Sequence, residues 1–249
     1  MAGWQPPAFG AVADAIEATW PPAETEALGE WTIRRSRHGG RRNGSVKPQG
    51  SPGMALDDAL EIVLGRFVIW DEPAYVQLPA GMTALDAELA ARGWTREGDS
   101  HVLAAETEAI AAHGVGGRMV VRVRAPLAAL EELWDAGGIG PARRAVMARA
   151  AVPNDILLVR ETDRVAGAAF VGVHGSIAVP HAVQVAPAYR RRGLGRALMI
   201  GAARWAQEAG ADTLALSVDV TNEAALALYE SLGFVPAGRY HYRRAPTRA

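Results

Sequence analysis

Cysteine is absent from the 249 residues. Disulfides, thiolate metal sites and a cysteine nucleophile are excluded with it. An excess of charge is also lacking. Twenty-six Lys and Arg stand against 27 Asp and Glu, for a formal net charge of −1. Nothing global therefore points to nucleic acid or an anionic membrane as a partner. No apolar run approaches the ~20 residues that a bilayer span needs. The start, Met1–Gly10, lacks a basic segment followed by an apolar run, so no signal peptide is read. The sequence reads as cytoplasmic. His38, His101, His113, His174 and His241 show no metal-ligand spacing, and no metal is expected.

What is present concentrates in one stretch, Val185-Ala186-Pro187-Ala188-Tyr189-Arg190-Arg191-Arg192-Gly193-Leu194-Gly195-Arg196. An apolar strand, Ile177–Val185, runs into arginines and two glycines, and a periodic helix follows at once. Glycines let backbone N–H groups approach a phosphate closely. A helix N-terminus adds unpaired donors and partial positive charge. Along that helix Leu194, Ala197, Leu198, Gly201, Ala202 and Trp205 share one face, and Gly210 ends it. Thr213–Val220 alternates strictly, with Leu214, Leu216, Val218 and Val220 pointing one way. Thr221 or Asn222 can cap the next helix, which ends at Gly233. The pattern is mixed α/β, with an anion cradle at a strand-to-helix junction.

Two motifs in this half resemble the GNAT superfamily of acyl-CoA-dependent N-acetyltransferases. Arg190-Arg191-Arg192-Gly193-Leu194-Gly195 fits the family's Q/R-x-x-G-x-G/A pyrophosphate motif. Asn222-Glu223-Ala224-Ala225 and Leu228-Tyr229-Glu230-Ser231-Leu232-Gly233-Phe234 fit its N-x-x-A…L-Y-x-x-x-G-F signature. The resemblance covers roughly residues 118–245. It implies a twisted, mostly antiparallel mixed sheet flanked by helices and splayed at the acyl-CoA site. The pantetheine arm would lie along Val183, Gln184 and Val185, and the pyrophosphate over the amides of Arg191–Arg196. Tyr229 would donate a proton to the leaving thiolate, and Asn222 would contact the cofactor or orient its helix. His181 lies four residues before Val185, on what strict alternation makes the same strand face as Val183 and Val185. Arylalkylamine-type relatives place a histidine at this offset, which makes His181 the candidate general base.

The first half reads as a worn copy of the same unit. Aligning Gly93-Trp94 with Gly233-Phe234 lays Thr83–Arg92 over Glu223–Leu232. Leu89 then falls at Tyr229 and Met82 at Asn222. Gly50-Ser51-Pro52-Gly53-Met54 lacks the motif arginine, and Pro52 removes a donor. Arg41-Arg42 reads as a solvated turn. The expectation is two GNAT-like domains, a degenerate one over 1–115 and a catalytic one over 116–249, in a monomer or homodimer. The expected reaction is direct acetyl transfer from acetyl-CoA to the amine of a small molecule or peptide. The alternative is a silent acyl-CoA-binding regulatory module. At the C-terminal strand, alternation separates Tyr240 and Tyr242 from His241 and Arg243; either face can line the acceptor site.

Overall fold

The structure is a computed structural model, and it describes residues 3–247. The first half runs α1 (Phe9–Thr19), β1 (Glu24–Leu28), β2 (Trp31–Arg35), β3 (Val46–Pro48), α2 (Leu56–Trp70), β4 (Tyr75–Pro79), α3 (Thr83–Ala91) and β5 (Thr95–Glu106). A short α4 (Thr107–Ala111) leads into β6 (Val120–Val123), α5 (Ala128–Ala136), α6 (Pro141–Arg149), β7 (Asn154–Glu161), β8 (Arg164–His174) and β9 (Ile177–Val185). Then come α7 (Leu194–Glu208), β10 (Thr213–Asp219), α8 (Glu223–Glu230) and β11 (Val235–Arg244).

All eleven strands form one sheet, in the order β1-β2-β3-β4-β11-β5-β10-β9-β8-β7-β6. The order is nearly palindromic about the β11–β5 pair. β4 pairs antiparallel with β11, as β10 does with β5. β3 and β4 are parallel across α2, as β9 and β10 are across α7. A parallel pair needs such a crossover, and each half supplies its own helix. The halves therefore interleave: β5 enters the sheet of the second half, and β11 that of the first.

The repeat persists in local hydrogen bonding. Trp94 N–H donates to the Leu89 carbonyl, and Phe234 N–H donates to that of Tyr229. Gly93 and Gly233 follow their helices at φ +78° and +82°, where a side chain is strained. The alignment read from sequence thus matches the backbone residue for residue at these two helix ends.

Apolar side chains of α7 cover one face of the second half's sheet, packing on Leu157, Val171, Leu214, Leu216 and Val218. On the other face Trp134 of α5 and Val146 and Met147 of α6 pack with Trp20 and Phe170. β9 departs from alternation between these faces. Its register against β8 jumps from Phe170↔His181 to Ala168↔Gln184, and Ala182 sits at φ +50°. Such a bulge inserts one residue and turns the following side chains over. His181 stacks on Trp20, whereas Val183 and Val185 pack with the α7 cluster. The shared face expected for these three residues is corrected accordingly.

Candidate active site

β9 and β10 pair only through Ile177 and Ala178. Beyond that point they part: Gln184 and Val185 keep their β8 side paired, Val183 lies in the bulge, and the β10 side of the backbone stays open. α7 starts just past this gap. Its N-cap is Gly193 at φ +78°, Arg191 sits at φ +62°, and no acidic residue occupies the first turn. The first N–H groups of the helix have no partner within it. A Cβ on Gly195 would stand 3.2 Å from Leu228 Cδ2, a tight fit between the start of α7 and α8.

One cleft collects these parts. It is lined by Val183, Gln184 and Val185, by Arg190, Arg191 and Gly193–Arg196, and by Asn222 and Tyr229. Asn222 Oδ1 accepts from Ala225 N–H at 3.2 Å and so caps α8. Arg190 Nε donates to the Val185 carbonyl at 3.2 Å, tying the loop to β9. Arg196 donates to the Ser231 carbonyl and hydroxyl, tying α7 to the end of α8. Arg192 does not line the cleft: its guanidinium lies 3.6 Å from Glu161 and over the Tyr189 ring. Arg118, which carries no motif signal, stands 3.8 Å from where a Cβ on Gly193 would be. The open strand edge, free helix donors, cationic rim and bare glycines suit an extended amide-containing arm ending in a diphosphate.

Tyr229 is buried at the inner end of this cleft, against Phe234. Burial pushes its phenol up to about 12, and Arg42 acts in the opposite sense. His181 is not in the cleft. Its Nε2 lies 2.8 Å from Thr19 Oγ1, and its ring is stacked 4.9 Å from that of Trp20. Nδ1 is buried without a partner among the described residues. Burial, and then the charges of Arg42 and Arg143, hold its pKa well below the ordinary value.

A second pocket lies between the halves, lined by Trp20, Gly39–Arg42, Ser100, Arg143, Asp219, Tyr240 and Tyr242. Arg42 is half-buried here, which corrects the solvated turn expected from sequence. The β11 faces separate as alternation requires. Tyr240 and Tyr242 face the pocket, while His241 and Arg243 bind Asp86 at 2.8 and 2.6 Å. Tyr240 OH is 2.5 Å from Ser217 Oγ. Burial raises this phenol, but Arg42 and the hydrogen bonds from Ser217, Tyr242 and Ser100 outweigh it and hold it below its usual value.

At the matching junction of the first half, Ser51 N–H donates to a Glu30 carboxylate oxygen at 2.7 Å. Asp57 and Asp58 stand in the first turn of α2. An acid thus takes a donor that an anion would need, and two more oppose it at the helix start. Leu89, wholly buried, takes the place of Tyr229.

A family model described as the acetyltransferase (GNAT) family matches residues 126–234. The matched stretch holds both the arginine-glycine loop and Tyr229. Over 85 residues the chain is 36% identical to the mycothiol acetyltransferase of Renibacterium salmoninarum, covering 32% of this chain and 25% of that protein. Over 52 residues it is 50% identical to an Escherichia coli alanine N-acetyltransferase acting on a ribosomal protein, covering 21% of this chain and 35% of that one. The aligned segments thus span about a quarter to a third of these relatives. In structure the chain resembles a GCN5-related N-acetyltransferase from Kribbella flavida, with TM-score 0.70, 18% identity, and 96% and 95% of the two chains covered. A tandem GNAT protein from the clavulanic acid biosynthesis pathway superposes with TM-score 0.57 and 15% identity, over 82% of this chain and 76% of its own. The fold is shared across most of the length.

Proposed function

We propose that the protein is an acetyl-CoA-dependent N-acetyltransferase whose single working site is the cleft between α7, α8 and β9. The observation that carries this reading is the convergence of an open β9 edge, the Gly193–Arg196 helix start and Tyr229 on one cleft. Acetyl-CoA, as substrate, supplies the activated thioester. The C–S bond breaks and a C–N bond forms, the amine loses a proton and the sulfur gains one.

Gly193–Arg196 and Val183–Val185 hold and orient the donor substrate through backbone groups. Tyr229 Oη keeps its proton through neutral pH, because burial raises its pKa, and presents it to the departing sulfur. Tyr240 Oη, rather than His181, takes the amine proton in this reading. It faces the second pocket and is held below its ordinary pKa, whereas His181 is enclosed by Trp20, Thr19 and Phe170. The first half, its cradle occupied by Glu30, acts as the wall of the acceptor pocket. The acceptor is the amine of a small molecule or peptide.

Release of CoA thiol from acetyl-CoA across a panel of amines tests the reading. Amine-dependent release is expected, and Tyr240→Phe should flatten the rise of kcat/KM with pH. Acetyl-CoA binding without release from any amine would favour the silent binding module instead.

A further inference from the structure

The second pocket holds an imbalance of charge that folding alone does not account for. Three arginines converge on it, yet the nearby carboxylates serve only one of them. Arg41 takes both Glu97, at 3.3 Å, and Asp219, at 3.9 Å. Asp219 is further held by the hydroxyl and N–H of Thr221. Arg42 and Arg143 have no carboxylate partner among the described residues. They lie close enough to repel each other, and both are half-buried. Burying two like charges together without a counter-ion is costly. Arg42 comes from the Gly39–Gly44 connection of the first half and Arg143 from α6 of the second, so no local sequence constraint forces them together.

The position of the pair connects it to the chemistry. Arg42 lies within electrostatic reach of Tyr229, at the inner end of the donor cleft, and beside Tyr240. An acceptor seated in the second pocket would meet both guanidinium groups. A guanidinium presents planar, paired donors suited to a carboxylate or phosphate. We propose that the acceptor is an anionic amine, a molecule carrying its reactive amino group together with a carboxylate or phosphate that Arg42 and Arg143 bind. This rests on the transferase reading above and narrows its acceptor. The first half then contributes a specificity residue, Arg42, to a reaction whose donor site belongs to the second.

Matched amine pairs that differ only in the anion test it: β-alanine against propylamine, and phosphoethanolamine against ethanolamine. Thiol release is measured for wild type, Arg42→Gln and Arg143→Gln. In wild type, kcat/KM for an anionic member should exceed that of its neutral partner at least about tenfold, the usual scale of a charge-assisted hydrogen bond. The ratio should fall toward one in both variants, and Arg143→Gln alone carries this test if Arg42→Gln does not fold. The carboxylate and phosphate arms identify which anion fits. Equal or better use of the neutral members by wild type overturns the inference and leaves acetyl transfer standing. If no amine releases thiol, acetyl transfer fails. The inference is then decided by thermal protection in the presence of CoA: anionic members must raise Tm where neutral ones do not, and equal shifts overturn it.

Discussion

Two buried aromatic groups in the second half answer to opposite demands. As the proposed proton donor Tyr229 has to keep its proton, and burial favours that by pushing its pKa to about 12. Tyr229→Phe preserves the packing on Phe234, so acetyl-CoA affinity should hold while kcat falls about 100-fold or more, the lower range for loss of a general acid. Calorimetric affinity and steady-state rates separate the two effects; an unchanged kcat contradicts the assignment. His181 must stay neutral to sit between Trp20 and Phe170. Its folded pKa lies well below the ordinary 6.5, so the unfolded chain binds this proton more readily. Its contribution to stability is therefore fully present above pH ~6.5 and is lost as pH falls toward the folded value. Tm should drop from pH 7 to 5.5 more steeply in wild type than in His181→Gln. Parallel slopes would show that the imidazole is not held neutral by the fold.

The elements that sequence reads best are those whose pattern is their own. α7 carries a continuous apolar face, and β10 alternates strictly; both stand where expected, and Leu214, Leu216 and Val218 do share a face. β1 has no such signal, because Glu24–Leu28 is an edge strand with its side chains mostly in solvent. The first half of β5 (Thr95–Glu106) is polar and carries no strand pattern of its own; it is ordered by pairing with β11, a partner more than a hundred residues away. Most of the lining of the cleft between α7, α8 and β9 was legible because its residues lie in two short motifs and the strand before them. The pocket between the halves was less so: the β11 tyrosines stood out, but Arg42 and Arg143 join them only through the tertiary fold. The bulge at Ala182 also escaped the pattern, and with it the true face of His181. Gly201 in α7 shows how tightly the readable elements pack. A Cβ there would stand 2.7 Å from Val120 Cγ1. Gly201→Val should cost about 1–3 kcal/mol by overpacking against β6. Chemical denaturation measures this, and a stability equal to wild type would mean that β6 yields freely.

At the scale of the whole molecule, the β5–β11 pairing binds the two halves into one sheet. Separated at residue 115, each half would expose unpaired strand edges where the other's strand belongs. Calorimetry should therefore give one cooperative transition for the intact chain, and neither half alone should show one. Two resolved transitions would mean that the halves fold as independent units. The same pseudo-symmetry makes the functional claim sharp. Two helix starts, at Leu56 and Leu194, occupy equivalent places, but only the second has a glycine N-cap and a first turn free of acids. Titration calorimetry of acetyl-CoA into wild type and Gly193→Val tests this most directly. The account predicts one site per chain in wild type and no binding in the variant. Two sites in wild type, or binding that survives the substitution, would contradict it.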